Sequence, residues 1–195
     1  MKIWTGLAVA TLLGATVVAG AQIKPASANG VISAAVSYNA MHAGSASGAG
    51  SFWMQGGGAE VAGTLSDGIG VVANVTGLHT ANTGQGVPAN LVAATFGPRY
   101  TWVPRGQSSG RMSIFAQGLV GESHGLHGIF PAFGGSITSA SGLAVNIGGG
   151  IDLRLRHHLA LRVLEANWLR TQLPNSGSNV QNNLLLGAGI VFRSK

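Results

Sequence analysis

The chain has no cysteine among its 195 residues, and few of its residues carry a charge. The absence of cysteine excludes disulfide bonds, thiol catalysis and cysteine metal sites. It also excludes a bacterial lipoprotein anchor, because that anchor needs a cysteine at the cleavage site. Asp, Glu, Lys and Arg make only 8% of the sequence, with a formal net charge of +6. The basic residues are scattered instead of clustered, which argues against a nucleic-acid-binding surface.

Long apolar runs are also absent after the N-terminal segment, so no helical membrane span is expected there. Residues 1–21 have an early lysine, an apolar centre and small residues at the end, as a secretory signal peptide does. Small-residue cleavage motifs end at Ala21 and at Ala28. We expect cleavage after Ala21, where the apolar run ends; an uncleaved helical anchor is the alternative. Residues 22–195 then form one domain.

The remaining sequence contains eight segments in which apolar and polar side chains alternate. In the clearest of them, residues 142–154, Leu143 and Val145 share one parity, whereas Asn146 and Asp152 share the other. Successive side chains on a strand point to opposite faces, so each segment has one apolar face. The predicted strands are residues 31–41, 51–65, 69–79, 90–102, 111–122, 142–154, 159–170 and 183–193.

Short and long connections alternate between these strands. The turn-like connections are residues 66–68, 104–110 and 156–158. The longer ones, rich in Gly, Ser and Asn, are residues 42–50, 80–88, 123–141 and 174–181. Bacterial barrels have short periplasmic turns and longer outer loops. This order therefore predicts that both chain termini lie on the periplasmic side.

The composition of the two strand faces distinguishes between classes of β protein. A soluble sandwich or a lipocalin-like carrier would turn its apolar side chains inward and its polar ones to water. Here the apolar face is continuous, whereas the other face mixes glycine, alanine and isolated charges. That pattern is typical of a barrel with lipid outside and a polar lumen. The predicted fold class is all-β, an eight-stranded antiparallel transmembrane β-barrel with up-and-down meander connections and a side-chain-filled interior.

The last three strands also resemble a known family. Residues Gly148–Leu155, His158–Arg162 and Asn182–Arg193 are similar to the closing strands of small OmpA/OmpX-like outer-membrane barrels. The resemblance implies a structural or surface-interaction role through outer loops, in the outer membrane of a diderm bacterium. The implied partners are outer-membrane lipid (lipopolysaccharide) and the barrel-assembly machinery, and the outer loops are candidates to bind an external ligand or surface. We expect a monomer with no cofactor and, from the scattered charges, no nucleic-acid partner; the sequence leaves the oligomeric state open. Such barrels commonly end on an aromatic residue, whereas here Phe192 is followed by further residues.

Several charged residues fall inside the predicted strands. An Arg on the lipid face near the bilayer midplane costs about 2–4 kcal/mol, so we expect these residues to face the lumen and to pair there. The candidate lumenal ion-pair residues are Glu60, Arg99, Asp152, Arg154, Arg162 and Glu165. Arg162 and Glu165 have opposite parity, so a β-bulge near Leu164 is needed to turn both inward. The favoured interpretation is a network that plugs the barrel; an ion-pair gate over a narrow pore is the alternative.

A catalytic role has weaker support in the sequence. Glu122, Ser123 and His124 lie where the fifth strand meets the longest predicted loop, and nucleophilic catalysis needs a base beside a hydroxyl. Neighbours on a strand point to opposite faces, which separates Ser123 from His124. His124 and His127 lack a third ligand for a metal site. We therefore predict no catalytic, cofactor or metal site, with a lipid-modifying outer-membrane enzyme as the alternative.

Overall fold

The computed structural model describes residues 31–44, 50–83, 86–104, 111–132, 135–175 and 179–194. They form eight strands, each antiparallel to the next, and the first pairs with the last to close a barrel. The strands are β1 (Ile32–Gly44), β2 (Ser51–Ser66), β3 (Ile69–Thr80), β4 (Ala89–Trp102), β5 (Met112–Ala132), β6 (Gly135–Arg156), β7 (Leu159–Thr171) and β8 (Gln181–Arg193). The predicted eight-stranded meander is confirmed. The predicted signal peptide lies outside the described residues.

The outer wall of the barrel is apolar, as the alternation predicts. Val36, Phe96 and Ile147 are 53%, 65% and 51% exposed on three different strands. On β8, Leu184 is exposed, whereas its neighbour Asn183 is buried in the lumen. This arrangement is the opposite of a soluble carrier with a polar exterior. Across the ranges given above, no helix has the length and apolar character needed to cross a membrane.

Strand β7 contains the bulge that the sequence requires. Arg162 pairs with Asp152 of β6, whereas Leu164 pairs with the residue directly before Asp152, so Val163 is the extra residue. The register with β8 shifts across the same positions. Val163 and Leu164 are both exposed on the outer wall. As a result, Arg162 and Glu165 both face the lumen.

The two ends of the barrel differ in their connections. At the turn end, Asp67–Gly68 and His157–His158 form the tight turns predicted between β2 and β3 and between β6 and β7. At the opposite end, called the loop end, lie the connections that follow β1, β3 and β7, together with the tip of the extended β5–β6 hairpin.

The structure corrects the prediction of a loop at residues 123–141, because most of these residues extend the β5–β6 hairpin. Pairing between the two strands continues as far as Ala132 opposite Gly135. Strand pairing satisfies backbone amides and carbonyls, so residues of low strand propensity can remain in a ladder. The register shifts just before Phe130, where His127 has a positive φ of 57°. Composition predicted a loop here, whereas backbone pairing makes two long strands.

Candidate functional site in the barrel lumen

The turn-end half of the lumen contains a network of buried ion pairs, which we call the lumenal charge cluster. Its members are Glu60, Arg99, Asp152, Arg162, Glu165 and Arg193. They come from β2, β4, β6, β7 and β8, so the cluster joins strands on different sides of the barrel. All members except Arg193 are exposed by 7% or less. The cluster thus places paired charged groups in the turn-end half of the lumen, away from the protein surface.

Glu60 is the carboxylate shared by two guanidinium groups. Arg99 donates from Nη1 to Oε1 at 2.6 Å and from Nη2 to Oε2. Arg162 donates to the same two oxygens from Nη2 and Nη1, at 3.1 and 3.2 Å. Guanidinium–carboxylate contacts that use both oxygens are among the stronger hydrogen bonds in proteins. Glu60 therefore holds β2 to both β4 and β7.

Arg162 connects the remaining carboxylates to this pair. Its Nε donates to Asp152 Oδ1 and its Nη1 donates to Glu165 Oε2, both at 2.9 Å. Asp152 Oδ2 also accepts from Arg193 Nη2 at 3.1 Å. Three carboxylates therefore meet three guanidinium groups, and the cluster has no net formal charge. This balance matters because an uncompensated buried charge is strongly destabilising.

Two amide side chains complete the hydrogen bonding of the cluster. Gln117 Oε1 accepts from Arg99 Nε at 3.0 Å, and Gln117 Nε2 donates to Glu165 Oε1 at 3.1 Å. Asn167 Nδ2 donates to the same Glu165 oxygen at 2.8 Å. Both amides lie on the inward parity of their strands, which is the signal that could have identified them. They extend the network to β5 and towards the middle of the lumen.

The two buried guanidinium groups that share Glu60 both lie against one aromatic ring. The central carbons of Arg99 and Arg162 lie 4.2 and 4.4 Å from the centroid of Phe115. A cation within about 6 Å of an aromatic face is attracted by its quadrupole. Gly150 makes room for this ring, because a Cβ there would lie 2.8 Å from Phe115 Cζ. The glycine-rich part of β6 is therefore shaped to fit the cluster.

The structure brings together five of the six residues that were predicted to form lumenal ion pairs. The sixth, Arg154, lies outside the cluster. Arg154 is exposed, two residues beyond Asp152 and next to the turn that follows β6. The lumen ends before it, so its parity no longer implies burial. Arg193 supplies the third guanidinium instead, and its Nη2 also donates to Ser113 Oγ at 3.0 Å. The parity of Arg193 predicts an inward side chain, but the residue lies at the end of β8 and was not among the predicted ion-pair residues.

The loop-end half of the lumen is largely apolar, which corrects the expectation of a polar lumen throughout. One buried cluster there consists of Met41, Ala43, Met54, Leu78, Leu91, Ala140, Leu169, Leu173 and Leu185. Leu185 stands between two other leucines, so the alternation that would have marked it as inward is hidden. A cavity of about 550 Å³, which we call the loop-end cavity, adjoins this apolar cluster.

The residues considered for catalysis do not form a nucleophile–base pair. Ser123 is fully buried, and its Oγ donates to the Gly142 carbonyl at 3.1 Å. His124 is exposed on the outer wall, with Nδ1 at 2.6 Å from Ser141 Oγ. Among the residues placed by the structure, no group of three or more His, Cys, Asp or Glu could hold a metal ion. The observed contacts of Ser123 and His124 are structural.

Comparisons with known proteins give a match at the level of the fold. No protein-family model and no curated protein sequence matches the chain. The chain is similar to the solved structure of Ail, the attachment invasion locus protein of Yersinia pestis (18% identity, TM-score 0.57, covering 85% of this chain and 99% of Ail). It is also similar to Neisserial surface protein A (12% identity, TM-score 0.61, covering 83% and 96% of the two chains). The chain therefore has the fold of the small eight-stranded outer-membrane barrels.

Proposed function

We propose that this protein is a monomeric, non-enzymatic outer-membrane barrel that is closed by the lumenal charge cluster and interacts with external ligands through its loop end. The observation that carries the proposal is the burial of three carboxylates against three guanidinium groups across the lumen. Such a network fixes the strands relative to one another and occupies the path that an ion would take. A structural barrel uses this arrangement, whereas a wide pore needs hydrated walls.

The outer wall supports a location in a lipid bilayer. Exposed apolar side chains cover the strands, and a closed barrel leaves no open strand edge in lipid. On this proposal residues 1–21 direct export, the barrel-assembly machinery inserts residues 22–195, and lipopolysaccharide surrounds the outer half. The turn end then faces the periplasm, as short turns do in bacterial barrels.

The loop end supports recognition of a ligand without strong negative charge. The connecting stretches 42–50, 80–90, 123–142 and 172–182 contain no Asp, Glu, Lys or Arg. Ail has been crystallised with the heparin analogue sucrose octasulfate. Polyanions of that kind are bound by Arg and Lys side chains, which these stretches of the present chain do not supply. The proposed external ligand is therefore neutral or largely apolar.

Cysteine labelling in cells tests the location and the orientation together, because the chain has no cysteine of its own. Ser136→Cys places a thiol in the β5–β6 hairpin at the loop end, and Ser66→Cys places one beside the turn at Asp67; both positions are exposed. We expect a polyethylene-glycol maleimide to label Ser136→Cys in intact cells and Ser66→Cys only after the outer membrane is permeabilised.

Two results would overturn the proposal. One is recovery of the protein in the soluble periplasmic fraction without a heat-dependent shift in gel mobility. The other is labelling of Ser66→Cys in intact cells, which would reverse the orientation. Both readouts are independent of any ligand.

A further inference from the structure

We propose that the loop-end cavity binds the alkyl tail of a single-chain amphiphile, with the polar head group held at the mouth. The inference deepens the proposed surface-interaction role by naming the ligand class, and it rests on that role. The cavity volume of about 550 Å³ falls within the range of roughly 300–1,000 Å³ that is usual for small-molecule sites. The cavity opens at the loop end of the barrel, so a ligand can enter it from outside.

The walls of the cavity suit an alkyl chain. Met41 and Met54 are buried on β1 and β2, and they line the cavity together with Leu91 and Leu173. Methionine is flexible and fills irregular apolar space, so such walls adapt to the shape of a ligand. Among the described residues that line the cavity, none carries a charge. Small-molecule sites have mostly apolar walls with a few polar groups, and walls of this kind favour a hydrocarbon tail as the occupant.

One part of the cavity wall carries an aromatic side chain beside the irregularity in β5. The ring of Phe130 lies against two glycines and packs on the apolar cluster. A Cβ on Gly125 would lie 2.4 Å from Phe130 Cζ, and one on Gly128 would lie 3.0 Å from Cε2. The positive φ of His127 allows the chain to fold back in this way. The glycines therefore determine where the ring stands relative to the cavity.

Gln181 holds a second part of the cavity wall. Its Oε1 accepts from Thr171 Oγ1 at 2.9 Å and from the Leu173 amide at 3.0 Å, and its Nε2 donates to the Leu173 carbonyl at 2.8 Å. These bonds fix Leu173 and Pro174, which both line the cavity. Because the wall is ordered before a ligand arrives, binding does not have to order it.

The rim offers hydrogen-bonding groups to a head group. Asn90 lines the cavity, with Nδ2 at 2.9 Å from His127 Nδ1 and Oδ1 at 2.6 Å from His79 Nδ1. These contacts tie β3, β4 and β5 together at the rim. A site with apolar walls and polar groups at one end favours an amphiphile over a pure hydrocarbon. The tail enters the cavity and the head remains beside water.

Methionine methyl spectroscopy tests this binding directly. The barrel is folded into phospholipid nanodiscs with ¹³C-methyl methionine, and sodium dodecanoate is titrated as the probe. We expect saturable shifts of the Met41 and Met54 methyl signals. Met112 lies at the turn end of β5 and serves as an internal control whose signal stays unchanged. Sodium butanoate, which has the head group without a long tail, should leave all three signals unchanged.

The source of the amphiphile is distinguished by a second titration. Lysophosphatidylcholine is built into the nanodisc in place of free dodecanoate. A shift with dodecanoate alone indicates uptake from water, and a shift with the lysolipid indicates uptake from the membrane; either result supports the cavity as the site. Absence of a selective Met41 and Met54 shift with both probes would overturn the inference, as would equal shifts with butanoate.

A cavity-filling variant separates specific binding from general insertion of the probe into lipid. Ala43 is buried and lines the cavity, so Ala43→Trp should exclude at least two methylenes of the tail and weaken binding by about tenfold or more. Ala40→Trp, on the outward face of the same strand, should leave binding unchanged. Equal binding by both variants would overturn the inference. Gel mobility of the unboiled protein confirms that each variant is folded, and cell fractionation reports separately on the proposed location.

Discussion

Replacement of Glu60 by glutamine is the most informative perturbation of the lumenal charge cluster. The carboxylate of Glu60 accepts four hydrogen bonds from Arg99 and Arg162. The amide of Glu60→Gln keeps one acceptor oxygen and points a donor group at these guanidinium donors. Arg99 then loses its ion pair with Glu60, and three guanidinium groups remain with two carboxylates, those of Asp152 and Glu165. Breaking a buried pair on one side costs about 3–5 kcal/mol.

The assay is the free energy of unfolding in urea, followed in lipid vesicles by tryptophan fluorescence and gel mobility. Asp67→Asn is the matched control, because it removes the same charge from an exposed turn. Asn tolerates the positive φ of 48° at this position, so the control should change stability by less than about 0.5 kcal/mol. A loss below about 1 kcal/mol for Glu60→Gln would refute the buried-pair reasoning, since that is the value of an exposed pair.

A second variant tests whether charge balance is the cause. Combining Glu60→Gln with Arg99→Gln leaves two carboxylates and two guanidinium groups in the cluster. The double variant should be more stable than the sum of the single losses predicts, by about 0.5–3 kcal/mol, the usual coupling of residues in one network. Simple additivity would show that the two side chains act independently.

Further predictions concern the packing of glycines, the depth of side chains in the membrane, and Arg154. Gly150→Ala should destabilise the barrel by about 1–3 kcal/mol because its Cβ would lie 2.5 Å from the Leu164 carbonyl oxygen and 2.8 Å from the ring of Phe115, which contacts two guanidinium groups. Gly118→Ala, whose Cβ meets nothing within 4 Å, should be neutral in the same urea assay. Val75→Arg, on the outer wall at the middle of β3, should cost about 2–4 kcal/mol, whereas Ile69→Arg at the strand end should cost about 0–1 kcal/mol; equal losses would contradict the lipid-facing assignment. Arg154→Gln should change the unfolding free energy by less than about 0.5 kcal/mol because the side chain is exposed outside the charge cluster.

The strands and their orientation were predictable because one physical constraint acts on every residue of a barrel wall. Lipid selects apolar side chains at alternate positions, so the parity of Val36 or Phe96 already fixes which way it faces. The same logic gave the β7 bulge, since Arg162 and Glu165 could both avoid lipid only if an extra residue intervened. Charge therefore helped to define the register.

The interior was less predictable, because side chains that face the lumen can be either polar or apolar. Met41, Met54 and Leu185 face inward although they are apolar, whereas the sequence analysis predicted a polar lumen. The contacts of Gln117 and Asn167 depend on strands far apart in the sequence, which periodicity cannot bring together. The extended β5–β6 hairpin was missed because its pairing is made by backbone groups, which leave no pattern in the side chains.

The most direct test of lumen closure is the conductance of the purified barrel in a planar lipid bilayer. Because the cluster fills the turn-end half of the lumen with paired side chains, the wild type should show near-zero conductance. Glu60→Gln should give rare, small events, since it removes the carboxylate that holds β2 to β4 and β7. A large and steady conductance from the wild type would contradict a closed lumen and identify the protein as a pore.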